Sequence, residues 1–229
     1  MFLDEAAMLM DELIKYSPYE MEGLMKVNSG LAEKNFMRHL QWSGEHNLQN
    51  SKQALHAYDG AVFQGINADD FSEEELVFAD KHIRILSGLY GVLKPLDIIQ
   101  PYRLEMGTKF STQYSKDLYV FWQDKLTDYF EEEMKKQNYN VIINLASREY
   151  SSAINLNRLH ARVVTPVFKD YKRGVYKIIT IYAKRARGLM SRFMTKNKIV
   201  MPEDLKAFDE EGYRYMDSLS SEDEWVFIR

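Results

Sequence analysis

The sequence contains no cysteine, and this absence removes several kinds of chemistry at once. Without thiols the chain forms no disulfide, offers no thiolate metal ligand and performs no thiol-based redox reaction. It also lacks any apolar run of the ~18–20 residues that a membrane-spanning helix needs. The first residues, Met1–Glu5, have neither the basic region nor the continuous apolar core of a signal peptide. We therefore expect a soluble cytoplasmic protein with no membrane partner.

Motifs for metals and nucleotide cofactors are absent as well. The chain has no phosphate-binding P-loop and no G-x-G-x-x-G fingerprint. Its histidines form no H-x-x-H or H-x-x-x-H pair that would favour a metal or haem site. The sequence therefore predicts no cofactor and no metal site. The five histidines are His39, His46, His56, His82 and His160.

The chain has enough apolar residues for a sizeable core. It contains 229 residues, of which 45% are hydrophobic and 13% aromatic, which excludes wholesale disorder. No internal repeat, low-complexity tract or long linker divides it. Helix-like and strand-like segments alternate irregularly, and this mixture predicts one α+β domain spanning residues 1–229.

Local patterns predict the individual elements. Ser72 and Glu75 form a capping-box pattern at the start of a helix, and Lys172-Arg173-Gly174 is typical of a hairpin turn. Helices are predicted over Phe2–Tyr16, from Ser17-Pro18, from Ser29, from Ser72 through Leu86, over Lys116–Lys136 and over about Ala183–Lys198. Strands are predicted over Gly60–Gly65, Tyr102–Met106, Asn140–Leu145, Arg162–Phe168 and Val175–Tyr182, and near Tyr213 and Trp225.

Positive charge is concentrated in one segment. Between Arg158 and Lys198 there are twelve Lys or Arg residues and one acid, Asp170, which gives a local formal charge of +11. Because the whole chain carries a net charge of −4, the remaining residues sum to −15. A basic block in an otherwise acidic protein points to a localised anionic partner such as nucleic acid.

The predicted helix in this segment is amphipathic. At 100° per residue, an apolar arc runs from Leu189 through Phe193 and Met190 to Met194, opposite the basic side chains. This pattern predicts a helix docked on a core, with a wide cationic face directed outward. The basic side chains are Lys184, Arg185, Arg187, Arg192, Lys196 and Lys198.

Small residues occupy the middle of that cationic face. Gly188 lies there beside Thr195 and Ser191, although an exposed helical glycine costs ~1 kcal/mol relative to alanine. We interpret the glycine as a floor that lets a phosphate approach, with the hydroxyls as hydrogen-bond donors. The alternative is an ordinary solvated face on which Gly188 packs against a neighbouring loop.

A second candidate for phosphate binding is the turn Ser87–Gly91, in which Gly88 and Gly91 lie three residues apart. A hairpin between helices can offer backbone N–H groups to a DNA phosphate. A glycine cap followed by a tight turn into a strand explains the same pattern equally well.

Two glutamates are weak candidates for acid–base catalysis. Glu149 follows a segment predicted as a buried apolar strand. Functional sites often lie at the carboxyl ends of strands in a sheet. Glu105 is a possible partner for it. The alternative is that both glutamates are ordinary surface or salt-bridged residues.

Four long strings stand out along the chain: Leu86–Asp97 (LSGLYGVLKPLD), Gln100–Gly107 (QPYRLEMG), Val141–Ser147 (VIINLAS) and Tyr182–Phe193 (YAKRARGLMSRF). Together and in this order they resemble the YaaA family of bacterial peroxide stress resistance proteins. The resemblance covers essentially the whole chain, and it implies a helix–hairpin–helix-like element and a basic cleft that binds DNA. It also implies a role in limiting damage when peroxide meets intracellular iron.

The resemblance assigns residues by position. The hairpin would be Ser87–Gly91, and the family offers no catalytic residues to transfer. Members usually begin with a short strand and a Ser-Pro-Ala-Lys motif, so we expect that this chain starts after that segment. The cations of the cleft would include Lys94, Arg103, Lys184, Arg185, Arg187 and Arg192.

The leading hypothesis is a non-enzymatic stress protein that binds nucleic acid, with DNA expected. We find no sign of an obligate protein partner. One alternative is an enzyme, such as a glycosidic-bond hydrolase acting on nucleic acid through Glu105 or Glu149. Another is an iron-handling adaptor, although the lack of cysteine and paired histidine argues against a strong iron site.

Overall fold

The computed structural model describes residues 1–229 and combines nine α-helices with nine β-strands. The α+β class predicted from the sequence is confirmed. Four short 3₁₀ helices, beginning at Ala68, Pro202, Glu210 and Asp217, complete the regular structure. The α-helices are α1 (Leu3–Leu13), α2 (Pro18–Met25), α3 (Ser29–Gln41), α4 (Ala54–Ala57), α5 (Ala61–Ile66), α6 (Glu73–His82), α7 (Leu118–Gln137), α8 (Arg148–Ser151) and α9 (Thr180–Lys196).

The strands form one mixed sheet and two small antiparallel pairs. In the larger sheet the strand order is β5-β6-β9-β8. The fifth strand, β7, pairs with the last residues of β6. The pairs β5–β6 and β6–β9 are parallel, whereas β6–β7 and β8–β9 are antiparallel. The strands are β1 (Lys52–Gln53), β2 (Ile85–Ser87), β3 (Gly91–Leu93), β4 (Ile98–Ile99), β5 (Val141–Ile143), β6 (Arg162–Lys172), β7 (Val175–Lys177), β8 (Arg214–Tyr215) and β9 (Glu224–Ile228).

The chain divides into two compact units, each assembled from three segments. The prediction of one domain over residues 1–229 therefore stays a prediction, and each unit is described by itself. Unit 1 contains Met1–Ala57, Arg84–Phe130 and Arg148–Arg158, and unit 2 contains Tyr58–Ile83, Glu131–Ser147 and Leu159–Arg229.

Unit 1 is mainly helical and holds both two-stranded sheets, β1–β4 and β2–β3. Its helix α2 begins with a complete capping box, because Ser17 accepts from the Glu20 amide while the Glu20 carboxylate accepts from the Ser17 amide. Trp122 is fully buried and donates its indole N–H to the Gly88 carbonyl at 2.9 Å. This bond fixes α7 against the turn between β2 and β3.

Unit 2 is built around the mixed sheet and α9. The helix buries Ala186, Leu189 and Met190 in the same apolar cluster as Phe168 of β6 and Phe227 of β9. Apolar side chains of a helix and a sheet face thus exclude water from one shared core. The same helix also contacts α5 and α6, so α9 is covered on more than one side.

Most predicted elements are present, with four differences. The strand predicted over Val175–Tyr182 ends at Lys177, and Thr180–Tyr182 form the first turn of α9. Gly60–Gly65 was predicted as a strand, which is wrong, because residues Ala61–Ile66 form helix α5. The helix from Ser72 ends at His82 rather than Leu86, and β2 begins at Ile85. The predicted strand over Tyr102–Met106 is not regular structure. The capping box of Ser72 and Glu75 is present as expected.

None of the nine α-helices is long and apolar enough to cross a membrane.

Candidate nucleic-acid interface

The amphipathic pattern of α9 is confirmed on its apolar side. Leu189 and Met190 are buried, and Phe193 and Met194 pack against the same cluster. The apolar side of α9 predicted by the helical wheel therefore packs against the sheet.

Gly188 is not on an open face, and its interpretation as an accessible floor for phosphate is wrong. A Cβ added to Gly188 would overlap the carbonyl oxygen of Val62 and lie 3.0 Å from the Cα of Gly65. Gly65 is equally confined, since its Cβ would overlap the Arg185 carbonyl oxygen and lie 3.1 Å from the Gly188 Cα. The two glycines therefore let the backbones of α5 and α9 touch.

The hydroxyls beside Gly188 are also occupied. Ser191 and Thr195 are both buried. Ser191 Oγ donates to the Arg187 carbonyl at 3.1 Å, and Thr195 Oγ1 donates to the Ser191 carbonyl at 2.8 Å. Such bonds to the carbonyl four residues earlier satisfy a hydroxyl within its own helix. The Ser191 hydroxyl is therefore not accessible to a phosphate oxygen, contrary to the prediction.

Arg192 is committed to structure. Its guanidinium forms a two-pronged pair with Asp70, at 2.7 and 2.5 Å. It also donates to the carbonyls of Ile66 and Asn67 at 3.2 and 2.8 Å, where α5 ends. A cation that neutralises the last carbonyls of a helix stabilises that terminus. Arg192 thus fastens α9 to the end of α5.

The pair has a clear electrostatic signature. Hydrogen bonding from Arg192, together with a smaller contribution from Lys196, lowers the pKa of the Asp70 carboxyl to about 2. The same hydrogen bond raises the pKa of Arg192. Both groups are therefore charged throughout the physiological range.

Half of the twelve cations between Arg158 and Lys198 have carboxylate partners. The paired cations contact acids far away in the sequence or near the C-terminus, so their charge is locally neutralised. They are Arg158 with Asp124 and Asp128, Arg162 with Glu203 and Asp223, Arg185 with Glu211, Arg192 with Asp70, Lys196 with Asp70 and Glu75, and Lys198 with Glu74.

The other six cations form no ion pair with any of the described residues 1–229. Four of them lie on β6, β7 and the turn between these strands, and two lie on α9. Burial lowers the pKa of Arg187, which is half-buried. The unpaired cations are Lys169, Lys172, Arg173, Lys177, Lys184 and Arg187.

The β6–β7 hairpin that carries four of these cations has the turn its sequence predicted. Tyr171 is opposite Tyr176 and Lys172 is opposite Val175, which leaves Arg173 and Gly174 as the two loop residues. Their φ angles are +56° and +85°. Two positive values are the requirement of a type I′ turn, whose twist matches that of the paired strands.

The single acid of the basic segment is turned inward at the base of this hairpin. Asp170 is buried, and its carboxylate accepts from Arg229 Nε at 2.6 Å and from the Tyr213 hydroxyl at 3.1 Å. Because Asp170 pairs with Arg229, its carboxylate does not neutralise the cations of the hairpin. Sequence reasoning did not identify Lys169, Lys172, Arg173 or Lys177 individually, although the turn and the charge count both pointed to them.

In unit 1 the turn Ser87–Gly91 is flanked by strands β2 and β3 rather than by helices. The amides of Leu89 and Tyr90 donate to Ser87 Oγ at 3.2 and 2.9 Å. A Cβ on Gly88 would overlap the Leu104 carbonyl oxygen, and Gly91 has φ +69° and faces Trp122. The expected helix–hairpin–helix is therefore replaced by a closed β-turn whose amides are used internally.

The two predicted cleft cations of unit 1 differ in their surroundings. The Lys94 side chain is half-buried and forms no ion pair. Arg103 pairs with Glu105 at 2.5 Å, while its Nε is buried without a hydrogen-bond partner. The Arg103 amide donates to His39 Nε2 at 3.3 Å. Burial lowers the pKa of His39 to about 4, so this histidine is neutral at pH 7.

The two candidate catalytic glutamates have different partners. Glu105 is held by Arg103, and Glu149 Oε1 accepts from the Gly107 amide at 3.0 Å. Glu149 lines an open cavity of about 450 Å³ with Tyr119, Arg148 and Ser152. Desolvation raises the pKa of Tyr119, and the negative charge of Glu149 adds to this effect. Both glutamates are solvent-exposed, so neither is in the apolar environment that makes a carboxyl an effective general acid.

The described residues contain no group of three or more His, Asp or Glu side chains that could hold a metal ion.

Comparison with known proteins identifies the family. A family model described as "Peroxide stress protein YaaA" matches residues 1–219. A UPF0246 protein of Ralstonia pickettii is 49% identical over 228 residues, which is 100% of this chain and 89% of the relative. UPF0246 proteins of Teredinibacter turnerae and Tolumonas auensis are 48% and 47% identical, over 99% of this chain and 89% and 87% of their own lengths. A match at this level over the whole chain means that the protein belongs to the YaaA peroxide stress protein family, also named UPF0246.

Proposed function

We propose that this protein acts in the response to peroxide stress by binding nucleic acid, with DNA as the expected form. By occupying DNA it limits the damage that peroxide causes in the presence of iron. Membership of the peroxide stress family supports the stress role. The nucleic-acid role is supported by the cations that have no carboxylate partner.

The unpaired cations of the β6–β7 hairpin are the observation that carries the proposal. Phosphate contacts by Lys and Arg supply most of the sequence-independent affinity for nucleic acid. A cation already paired with a carboxylate gives up that partner when it binds phosphate, so its net gain is small. The hairpin cations have no such partner to lose.

Residues outside the hairpin extend the proposed surface. Lys184 and Arg187 continue it along the first turns of α9, and neither is ion-paired. Arg185 is exposed and pairs with Glu211 at 2.7 Å, so it can exchange that partner for a phosphate. In unit 1, Lys94 and Arg103 remain proposed contacts on the strength of the family resemblance alone.

The test is the salt dependence of binding. Replacing Lys172, Arg173 and Lys177 by alanine removes up to three phosphate contacts. The slope of log K against log salt is negative, and each lost contact lowers its magnitude by about 0.9 on B-DNA and about 0.7 on single strands. We expect weaker binding and a slope whose magnitude falls by about 2–3, measured by fluorescence anisotropy from low to moderate salt.

A second triple variant controls for net charge. Lys34, Lys135 and Lys136 are exposed lysines without ion pairs, and their replacement by alanine changes the net charge equally. This control should leave the slope unchanged. An equal loss in both triple variants would mean that overall charge, and not the hairpin, governs binding. No binding of DNA or RNA by the wild-type protein would refute the proposed function.

A cellular experiment tests the stress role. A bacterial strain lacking its own family member should lose viability in peroxide, and chelation of intracellular iron should restore it. The wild-type gene should complement the defect, while the hairpin triple variant should not, at equal protein level. Full complementation by that variant would separate the stress role from the hairpin. Rapid peroxide turnover by the purified protein would contradict protection through binding.

A further inference from the structure

The β6–β7 hairpin exposes aromatic rings as well as cations. The Tyr171 and Tyr176 residues are 61% and 40% exposed. Their ring centroids are 5.2 Å apart with an interplanar angle of 60°. Large aromatic side chains are usually buried in monomers, so two adjacent exposed rings indicate a surface prepared for contact.

The tyrosines share one face of the hairpin, because they are directly opposite each other in the register. Strand alternation places Lys169 on this face and places Asp170, Lys172 and Lys177 on the other. Within the hairpin, the tyrosine face therefore carries a cation and no acidic side chain, and the Tyr171 amide donates to the backbone oxygen of Arg229 at 2.7 Å. Arg173 sits in the turn at the end of both faces.

We infer that this tyrosine face, defined by Lys169, Tyr171 and Tyr176, is a stacking platform for unpaired bases of single-stranded nucleic acid. The inference rests on the proposed function and adds the substrate class and the residues that select it. Proteins that bind single strands combine a cationic surface with aromatic rings on which successive bases stack. The hairpin has both parts within a few residues.

Duplex DNA does not use such rings, because its bases are already stacked on one another and only its phosphates and groove edges are accessible. Cations alone would serve a duplex equally well. The exposed tyrosines therefore favour a strand whose bases are free. Val175, which is 57% exposed on the opposite face, offers further apolar contact at the hairpin tip.

The hairpin is shaped to reach a ligand. β6 pairs with β5 and β9 over residues 162–169, and only its last residues, from Asp170, pair with β7. Residues 171–178 are all exposed. The tight turn restricts the backbone, so the two rings are positioned before binding and little conformational entropy is lost on contact.

The experiment compares alanine and phenylalanine at the two tyrosines. Tyr171→Ala and Tyr176→Ala should each weaken binding of labelled oligo(dT) by about tenfold, since each removes one stacking surface. Tyr171→Phe and Tyr176→Phe keep the ring and should bind like the wild type. The salt slope should not change in any of the four, because no cation is lost.

Tyr19→Ala is the matched control, because Tyr19 is 82% exposed on α2 in unit 1. It should leave oligo(dT) binding unchanged. The affinity for a blunt duplex of equal length should change little in the tyrosine variants. Thermal unfolding of every variant establishes that the fold is intact.

The outcomes separate this inference from the proposed function. Wild-type binding with no loss in the alanine variants would overturn the platform and leave the proposed function in place. Equal losses in the alanine and phenylalanine variants, or equal losses on duplex and single strand, would also overturn it. No nucleic-acid binding by the wild type would end both. Sedimentation of the wild type, but not of the alanine variants, with phosphatidylglycerol vesicles, together with no loss on oligo(dT), would assign the rings to a membrane surface instead.

Discussion

Replacing Gly188 by alanine tests the most specific structural feature of α9. If the glycine were on an exposed helix face, alanine would stabilise the fold by up to ~1 kcal/mol through helix propensity. The structure predicts the opposite sign. The added methyl would overlap the Val62 carbonyl oxygen and approach the Gly65 Cα to 3.0 Å, and both obstacles are backbone atoms that cannot rotate away.

The magnitude follows from overpacking. Forcing one methyl into a closed contact costs typically about 1–3 kcal/mol, because neighbouring backbone must shift. The helix-propensity gain offsets up to ~1 kcal/mol of this, and a backbone obstacle puts the cost at the upper end. We expect a net destabilisation of about 2 kcal/mol, which lowers the Tm by about 4–8 °C for a chain of this size.

Gly23→Ala is the control, because Gly23 lies within α2, is exposed, and has no atom within 4 Å of its built Cβ. That variant should raise the Tm slightly. Both variants are measured by thermal melts and urea unfolding under one buffer condition. A Gly188→Ala protein that melts at or above the wild-type temperature would refute the contact between α5 and α9.

Two further predictions concern titratable groups. His39 is neutral in the fold because burial lowers its pKa to about 4 from 6.5, so wild-type stability should fall by up to about 3 kcal/mol as pH drops from 6.5 towards 4. His39→Gln keeps an acceptor for the Arg103 amide and should flatten this part of a plot of unfolding free energy against pH; a wild-type curve that is already flat there would contradict it. Asp70→Asn should lower the Tm at pH 7, and the difference should shrink as the pH falls from about 4 through 2, because the fold lowers the pKa of Asp70 from 3.8 to about 2 and the stabilising contribution of the carboxylate is lost over that window. An unchanged Tm at pH 7 would mean that the pair with Arg192 contributes nothing measurable.

The sequence predicted the elements whose signals are local. The capping box at Ser72 and Glu75 and the turn at Lys172-Arg173-Gly174 depend on residues three or fewer positions apart, and both are present. Helix α5 was mistaken for a strand because a six-residue apolar run fits either state. Its helical state is favoured by contact of Gly65 with α9, more than 100 positions away, which no local pattern reveals.

The interpretation of Gly188 as an open floor for phosphate was wrong for a related reason. A helical wheel gives the direction of Gly188 but not what lies there, and α5 covers that side. The partners of the basic side chains are equally hidden, since Arg192 and Lys196 pair with Asp70 and Glu75, about 120 positions earlier. Charge counting located the basic segment but could not divide its cations into paired and unpaired.

Under the proposed function, that division accounts for a binding site for polyanions on an acidic protein. At physiological ionic strength the Debye length is about 8 Å, so charges on distant surfaces are screened and only nearby groups set the local potential. The one acid of the basic segment, Asp170, is buried and neutralised by Arg229, and the hairpin cations Lys172, Arg173 and Lys177 have no ion pair. The whole chain still has a net charge of −4. The acidic surface outside the hairpin therefore repels a long polyanion, and this repulsion is strongest at low salt, where screening is weak. Binding to a short oligonucleotide, which spans only the hairpin, should therefore be less affected by that repulsion than binding to a long strand.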